Sequence, residues 1–187
     1  MAIKIIALMC LILLSFGVSC STATKSYAKN MDPKTLELNK HQKLTHFHLY
    51  WHDTVSGTKP SSVAVLPPRD NATVFGEVNM FDNPLTVGPE LDSQLVGRSQ
   101  GFYAASAQDK IGLLMAMNFV FTHNKYKGSS FTVLGRNPVD DAVREMPVVG
   151  GSGKFRFASG YALAKTHYFN PATFDAIVEY DIYVLHY

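Results

Sequence analysis

Apolar and polar residues alternate with period two along much of the chain. The clearest run extends from Leu44 to Asp53 and is followed by turn residues from Thr54 to Pro60. Such alternation predicts a β-strand with one face toward a core. Further strands are predicted at short intervals, at 62–66, 74–81, 95–105, 113–122, 130–134, 155–166 and 176–186.

Turn signals separate these segments, and no stretch carries a convincing helical stripe with caps. Residues 108–121 also fit a helix, but Gly112 and the flanking aromatic residues favour a strand. Many short strands without intervening helices predict a sandwich or a closed barrel, and an up-and-down barrel of about eight strands can hold one small ligand. The turn signals include Asn83-Pro84, His123-Asn124, Lys127-Gly128 and Gly150-Gly151-Ser152-Gly153.

The first residues have the layout of a secretory signal peptide. Lys4 precedes an apolar stretch from Ile5 to Val18, and the small residues that follow suit cleavage. This layout predicts a secreted protein with a signal peptide at 1–23, the alternative being a membrane anchor or a buried first helix. The polar residues 24–42 are predicted to form a flexible arm, and residues 43–187 a single barrel domain.

Cysteine placement and charge exclude several classes of site. Cys10 and Cys20 fall within the predicted signal peptide, so the mature chain would contain no disulfide, cysteine-ligated zinc or cysteine nucleophile. The formal net charge is +2, and no basic run or phosphate-binding glycine motif predicts a nucleic acid or nucleotide partner. The sequon Asn71-Ala72-Thr73 follows a loop-like segment and predicts an N-glycan on Asn71.

Strand parity supplies the first candidate for chemistry. Phe47, Leu49, Trp51 and Asp53 share the more apolar face of the first strand. If that face lines a cavity, the carboxyl group is desolvated, its pKa rises, and it can donate or accept a proton. An aspartate that caps the turn before Thr54 is an equally good interpretation of this strand alone.

The opposite face of the same strand carries His46, His48 and His52. Alternate histidines on one strand point the same way, but a metal site usually also recruits a ligand from another strand. We therefore expect surface or subunit-interface histidines here and no metal site.

Arg144 and Tyr103 are the other polar candidates. Arg144 precedes an apolar run, where its guanidinium can pair with a carboxylate such as Asp53 or bind a phenolate oxygen, an exposed salt bridge being the alternative. Tyr103 lies among small residues, where it can hydrogen-bond a ligand in a cavity or fill the core. No serine-histidine-aspartate order, nucleophile elbow or paired-glutamate pattern is present in the sequence.

Five segments between about Leu44 and the C-terminus form a recognisable series. They are Tyr50-Trp51-His52-Asp53, Phe81-Asp82-Asn83-Pro84-Leu85-Thr86, Gly97-Arg98-Ser99-Gln100-Gly101-Phe102-Tyr103, Gly135-Arg136-Asn137-Pro138 and Val143 to Gly153. Taken together and in this order, they resemble the plant dirigent family. The resemblance implies an eight-stranded antiparallel β-barrel that assembles as a homotrimer and is secreted to the plant cell wall, the apoplast.

Individual positions relate the chain to one subgroup of that family. Asp53, Tyr103 and Arg144 match residues of lignan-forming members, which direct the closure of a phenoxy-radical coupling product. Those members also carry an aspartate where Asn137 stands here and a second tyrosine where Ala105 stands here. With its Gly-Arg-Asn-Pro segment, the chain looks more like the subgroup that includes legume pterocarpan synthases.

That resemblance implies a lyase of isoflavonoid phytoalexin biosynthesis that serves plant defence and needs neither metal nor organic cofactor. The enzyme would dehydrate a 2′-hydroxyisoflavan-4-ol through a quinone methide and close the ring stereoselectively. Asp53, Arg144 and Tyr103 are the implied catalytic residues, and Asp82 is the next candidate acid. Substrate contacts are assigned to Asn137, Asp82, Trp51 and Phe47.

Two other functions stay open at this point. One is an auxiliary dirigent protein that steers the coupling of phenoxy radicals made by a laccase or other oxidase partner. The other is a passive barrel that binds hydrophobic phenolics or lipids. No nucleic acid or membrane partner is expected in any of the three cases.

Overall fold

The computed structural model describes residues 27–187, whose strands form one antiparallel sheet. The predicted signal peptide, both cysteines and residues 24–26 lie outside the described residues. No helix among residues 27–187 is both long and apolar enough to span a bilayer. The nine strands are β1 (Lys43–Asp53), β2 (Ser62–Leu66), β3 (Val78–Thr86), β4 (Leu95–Ala105), β5 (Gly112–Phe121), β6 (Ser130–Pro138), β7 (Arg144–Ser152), β8 (Ser159–Phe169) and β9 (Ala176–His186), with 3-10 turns at Pro33–Leu36, Asn124–Tyr126 and Gly153–Phe155.

The sheet closes on itself to form a barrel. Strands pair in the order β1-β9-β8-β7-β6-β5-β4-β3, and β1 pairs again with β3 through Tyr50–Thr86 and Trp51–Leu85. Eight strands therefore enclose the interior, while the short β2 pairs with the first half of β3. Closure satisfies backbone groups that an open edge would leave unpaired. The predicted eight-stranded antiparallel barrel is confirmed.

Two of the predicted turn signals lie inside strands. Asn83-Pro84 falls within β3, and Gly150-Gly151-Ser152 completes β7. The strand β6 also continues beyond its predicted end at 134, to Pro138. On one side Pro84 lies opposite Arg98 of β4, but on the other side the pairing with β2 ends at Phe81 and the pairing with β1 begins at Leu85. Proline is tolerated in this gap because no adjacent strand needs the N–H that it lacks.

The strand β7 is missing from the strands that the sequence predicts, and β8 begins later than predicted, at Ser159 rather than Phe155. Pro147, Gly150 and Gly151 give β7 the composition of a loop. Pairing with β8 from Arg144 to Val148, and with β6 beyond it, nevertheless holds the segment extended. Tertiary pairing overrides local propensity here.

Aromatic side chains fill one end of the barrel. The ring centroid of Phe47 lies 5.0 Å from that of Phe121 and 5.5 Å from that of Phe131, which in turn lies 5.3 Å from Phe155. All four residues are buried, and we call them the aromatic end. Their packing removes a large apolar area from water and stabilises the barrel. The opposite end, where β1, β4, β6 and β8 finish, is hollow.

Candidate functional site

A cavity of about 520 Å³ occupies the hollow end of the barrel. Because antiparallel strands alternate in direction, its wall combines the last residues of some strands with the first residues of their neighbours. Mostly apolar walls with a few convergent polar groups are typical of small-molecule sites. Lining residues from the strands include Trp51, Asp53, Tyr103, Ala105, Asn137, Arg144, Thr166 and Tyr180, and those from the rim include Val55, Val74, Val139 and Phe174.

Asp53, the last residue of β1, carries the cavity's most perturbed carboxyl group. Its side chain follows the inward parity of Leu49 and Trp51, and only 7% of the residue is exposed. Asn83 Nδ2 donates a hydrogen bond of 3.0 Å to Asp53 Oδ1. Burial raises the pKa of Asp53 to about 6, against the opposing effect of hydrogen bonds from Asn83, Ser62 and Tyr103. Such a group can give up and regain a proton at mildly acidic pH.

Tyr103 lies beside Asp53 and presents a phenol to the cavity. Its hydroxyl is 3.2 Å from Ser62 Oγ, and its ring stacks on Phe81 with centroids 5.9 Å apart. Burial, and then the charge of Asp53, raise the pKa of Tyr103 above its ordinary value. The phenol therefore stays protonated and can donate a hydrogen bond.

Arg144, the first residue of β7, brings a buried positive charge to the same cavity. Only 4% of it is exposed. Its Nε donates to Asn137 Oδ1 at 3.1 Å and its Nη1 to Thr166 Oγ1 at 3.0 Å. Burial lowers the pKa of Arg144, but a guanidinium remains protonated throughout the physiological range.

No carboxylate within residues 27–187 forms an ion pair with Arg144. The interpretation in which Arg144 pairs with Asp53 is therefore wrong, although both residues line one cavity. A buried cation held by neutral oxygens is costly unless a negative group approaches it. Arg144 is thus suited to bind an anionic ligand oxygen.

Tyr180 of β9 lines the same cavity, interacts electrostatically with both charged groups, and was not identified from the sequence. It is 1% exposed, and its hydroxyl contacts Met117 Sδ at 3.8 Å. Burial raises the pKa of Tyr180, while Arg144 lowers it and Asp53 raises it further. The alternation within the predicted strand 176–186 already placed Tyr180 on the inward face, which is the signal that could have identified it.

Asn83, Ser62 and Thr166, which hold the polar groups in place, were also missed. Asn83 is fully buried and fixes the carboxyl group of Asp53. Its local sequence, Asn-Pro, is typical of a turn, and this signal concealed the period-two set of Asn79, Phe81, Asn83 and Leu85. Thr166 and Ser62 act only through hydroxyl groups, for which the sequence contains no distinctive pattern.

Two of the four predicted substrate-contact residues line the cavity, and two do not. Trp51 and Asn137 are part of its wall. Phe47 belongs to the aromatic end, where rings on all sides enclose it, so its assignment to the substrate site is wrong. Asp82 faces outward, as Met80 does, and pairs with Arg98, whose Nε lies 2.5 Å from Asp82 Oδ1. Its assignments as a substrate contact and as the next candidate acid are therefore wrong as well.

An aspartate outside the cavity fastens the rim. Asp175 Oδ1 accepts hydrogen bonds from the backbone N–H groups of Val55 at 2.8 Å and Ser56 at 3.0 Å, and Asp175 Oδ2 accepts one from Ser56 Oγ at 2.6 Å. The hydrogen bond from the Ser56 hydroxyl is the largest cause that lowers the pKa of Asp175, to about 2. This clamp ties the loop after β1 to the β8–β9 hairpin at the cavity mouth.

The sequon lies on an exposed turn, away from the strands. Asn71 is exposed, and Asp70 Oδ1 accepts a hydrogen bond of 2.7 Å from the backbone N–H of Ala72. The site is sterically open to a glycosyltransferase, and modification of Asn71 stays a prediction.

Sequence comparisons agree with this architecture. The Dirigent-like protein family model matches residues 44–185. Dirigent protein 7 of Arabidopsis thaliana is 50% identical over 187 residues, covering 100% of both chains. Pterocarpan synthase 1 of Glycyrrhiza echinata is 47% identical over 171 residues, covering 89% of this chain and 90% of that protein.

A solved structure has the same fold. The pterocarpan synthase dirigent protein GePTS1 superposes with a TM-score of 0.75 at 48% identity, covering 79% of this chain and 87% of that one. The family model spans most of the chain, and the barrel fold is shared with a solved dirigent structure. The chain therefore belongs to the dirigent-like protein family.

Proposed function

We propose that this protein is a carbon–oxygen lyase that dehydrates a 2′-hydroxyisoflavan-4-ol and closes it stereoselectively to a pterocarpan. One observation carries the proposal: the cavity holds an ionisable acid, Asp53, and a separate buried cation, Arg144, that forms no ion pair with a carboxylate of the described part of the chain. Quinone methide formation needs both groups at once, an acid for the leaving oxygen and a positive charge for the phenolic oxygen that becomes electron-rich.

The first step is elimination. Protonated Asp53 donates its proton to the 4-hydroxyl of the substrate, the C4–O bond breaks, and water leaves. The 7-hydroxyl releases its proton to water as its oxygen becomes the carbonyl of the quinone methide. Arg144 stabilises the negative charge that develops on this oxygen, and the phenol of Tyr103 hydrogen-bonds the leaving group beside Asp53.

The second step closes the ring. The 2′-hydroxyl oxygen attacks C4, its proton passes to the Asp53 carboxylate, and the 7-oxygen takes up a proton as the ring becomes aromatic again. Asp53 thus returns to its starting state, and the net change is loss of one water. Because the attack is intramolecular, the cavity contributes mainly by holding one conformer with one face of C4 toward the nucleophile.

Two cavity positions support this chemistry over lignan-type steering. Asn137 is neutral, so Arg144 keeps an uncompensated charge for the substrate. Ala105 is a buried part of the wall, where the lignan-forming pattern carries a tyrosine, and the smaller side chain leaves room for a rigid polycyclic ligand. Relatives named pterocarpan synthase, at 47% and 44% identity, add to the argument.

The second candidate function is that of a dirigent protein without catalysis, which steers radicals made by an oxidase. It is favoured by relatives named only as dirigent proteins, at 50% and 54% identity. In that case the same cavity would orient a coupling product, and Asp53 would serve only to direct its closure.

Incubation of purified protein with a cis- or trans-2′-hydroxyisoflavan-4-ol, without any oxidase, separates the two functions. Enantiomerically enriched pterocarpan, analysed by chiral chromatography, is the result expected of the lyase. No reaction alone, but enantiomeric enrichment of coupled phenols once a laccase is added, would establish the auxiliary function instead.

Secretion to the apoplast and assembly as a homotrimer complete the proposal. An outward row of apolar residues crosses five strands in register and supports assembly through the barrel wall. Three of its members are more than 40% exposed: Val63, Met80 and Leu134. Light scattering at micromolar concentration tests the trimer, and N-terminal sequencing of secreted protein tests removal of the signal peptide. The row consists of Val63, Met80, Phe102, Ala116 and Leu134.

A further inference from the structure

The outer wall of the barrel between β1 and β9 carries a group of metal-ligating side chains that the cavity does not use. In the antiparallel register His48 lies opposite Asp181, and Tyr50 lies opposite Glu179. His46 precedes His48 on the same outward face. His52 does not join them, since it is buried against Thr86, with its Nε2 2.7 Å from Thr86 Oγ1, and is not the surface histidine that the sequence predicts.

Donor atoms from both strands converge on one point. His46 Nε2 lies 2.8 Å and His48 Nδ1 lies 3.0 Å from the same oxygen, Asp181 Oδ1. Glu179 Oε1 is 4.0 Å from His48 Nδ1. Metal–ligand bonds of about 2.0–2.2 Å in tetrahedral geometry place donor atoms about 3.3 Å apart. The donor atoms of His48, Glu179 and Asp181 all lie within 4.8 Å of one another, and His46 reaches this group through Asp181 Oδ1. Side-chain rotations that bring the four donors to the tetrahedral spacing would complete a coordination shell.

Neighbouring rings hold both histidines in these orientations. His46 stacks on Tyr183 with centroids 4.5 Å apart and planes 12° from parallel. His48 Nε2 lies 3.3 Å from the hydroxyl of Tyr50, which leaves Nδ1 directed at Asp181. Support of this kind from a second polar group fixes the tautomer of a metal-ligating imidazole. The histidine side chains are 46% and 43% exposed, so an ion can reach them from solvent.

We propose that His46, His48, Glu179 and Asp181 bind one divalent transition-metal ion on the outer wall of the barrel. Two imidazoles with carboxylate oxygens suit Zn²⁺ or Cu²⁺, whereas Mg²⁺ and Ca²⁺ favour oxygen ligands alone. A metal-ligating nitrogen carries no proton, so the ion would replace the contacts that each imidazole now makes with Asp181. The sequence alone predicts no metal here because no ligand from another strand is evident in it. The structure supplies that second strand, which is β9. The site faces away from the cavity and does not rest on the proposed lyase activity.

Calorimetric titration of chelator-treated protein with Zn²⁺ tests the site at about pH 7.5, where an ordinary imidazole is mostly neutral. We expect one ion per chain. Removal of a group that only supports a metal ligand typically weakens metal affinity by roughly 10–100-fold. His48→Gln removes a ligand itself, so it should weaken Zn²⁺ binding by at least that factor. His123→Gln removes an exposed histidine from the loop after β5 and is the matched control. It should bind Zn²⁺ like the wild type.

Electron paramagnetic resonance of the Cu²⁺ complex gives a second readout that counts nitrogen donors. Two coupled nitrogens in the wild type, one in His48→Gln and two in Asp181→Asn with weaker affinity would support the assigned ligand set. Failure of the wild type to bind either ion would overturn the proposal. Equal binding by His48→Gln and His123→Gln would overturn it too, since it would show scattered histidine binding. Circular dichroism verifies that each exposed-site variant keeps the fold.

Discussion

Replacing Asp53 by asparagine should lower turnover and, at neutral pH, make the protein more stable. The pKa of Asp53 is about 6 in the folded protein, against an ordinary value of 3.8. Folded protein therefore holds this proton more tightly than unfolded chain. The resulting stability is fully present below about pH 4 and is lost as the pH rises through about 6. At pH 7 and above, the difference between the two pKa values lowers the free energy of unfolding by about 3 kcal/mol relative to acid pH.

Asparagine keeps the size of the side chain and cannot ionise, so the variant should lack this loss of stability. For a domain of this length, about 3 kcal/mol corresponds to a rise in Tm of roughly 6–12 °C. Thermal denaturation followed by circular dichroism, from acid to neutral pH, measures it. The gain over the wild type should be small near pH 4, grow as the pH rises, and reach its full size above about pH 6. Asp109→Asn, which alters an exposed aspartate, should show no such gain.

Turnover supplies the other half of the test. Loss of a general acid should lower kcat with isoflavanol by roughly two or more orders of magnitude. In the wild type the rate should fall as pH rises through about 6, because the protonated carboxyl group begins the reaction.

Two results would refute this reasoning. An identical pH dependence of stability in the wild type and Asp53→Asn would show that the carboxyl group is not desolvated in the folded protein. Normal turnover in Asp53→Asn would assign the acid elsewhere. Asp82 faces outward, so the replacement would have to be Glu77 or Asp140, which line the cavity.

Other substitutions probe the rest of the cavity and the packing beneath it. In steady-state assays, Arg144→Leu should lower kcat by roughly 100-fold or more. In the double variant with Asp53→Asn, the two losses should be non-additive, because the two groups serve one step. Asn137→Asp should also slow turnover while circular dichroism stays unchanged, since a carboxylate would then pair with Arg144. Tyr103→Phe removes one hydrogen bond and should cost about tenfold in kcat/KM. Phe47→Ala should lower the free energy of unfolding, measured with urea, by about 3–5 kcal/mol without changing the kcat of the folded fraction. Full activity in Asn137→Asp would contradict the role given to the unpaired guanidinium.

Period-two alternation made the barrel and one wall of its cavity predictable. It placed Trp51 and Asp53 on the inward face of β1, and it predicted both ends of β9 correctly. It failed where proline or glycine imitates a turn, as in Asn83-Pro84 and in β7. The proline and glycine residues are tolerated there because of the way the neighbouring strands pair with them. This pairing depends on strand order in the closed sheet and cannot be read from the local sequence.

The candidate site was predictable only in part, for a related reason. Tyr103 and Arg144 were identified as polar candidates, but whether they meet each other or Asp53 depends on strand order around the barrel. Ion pairing between Arg144 and Asp53 was inferred from charge alone, and hydrogen bonds to Asn137 and Thr166 take its place. Phe47 shares a strand face with Asp53 but lies too far along the strand axis to line the same cavity.

The division of the barrel into a packed end and a hollow end also bears on how such proteins evolve. Most substitutions destabilise a fold, and a marginally stable protein tolerates few of them. Phe131 and Asn137 occupy opposite ends of β6, one in the aromatic end and the other in the cavity wall. Mutations at positions such as Asn137 or Ala105 therefore leave the aromatic packing intact. After gene duplication, a copy can acquire a new ligand preference through substitutions at a few wall positions, without an intermediate that is too unstable to fold.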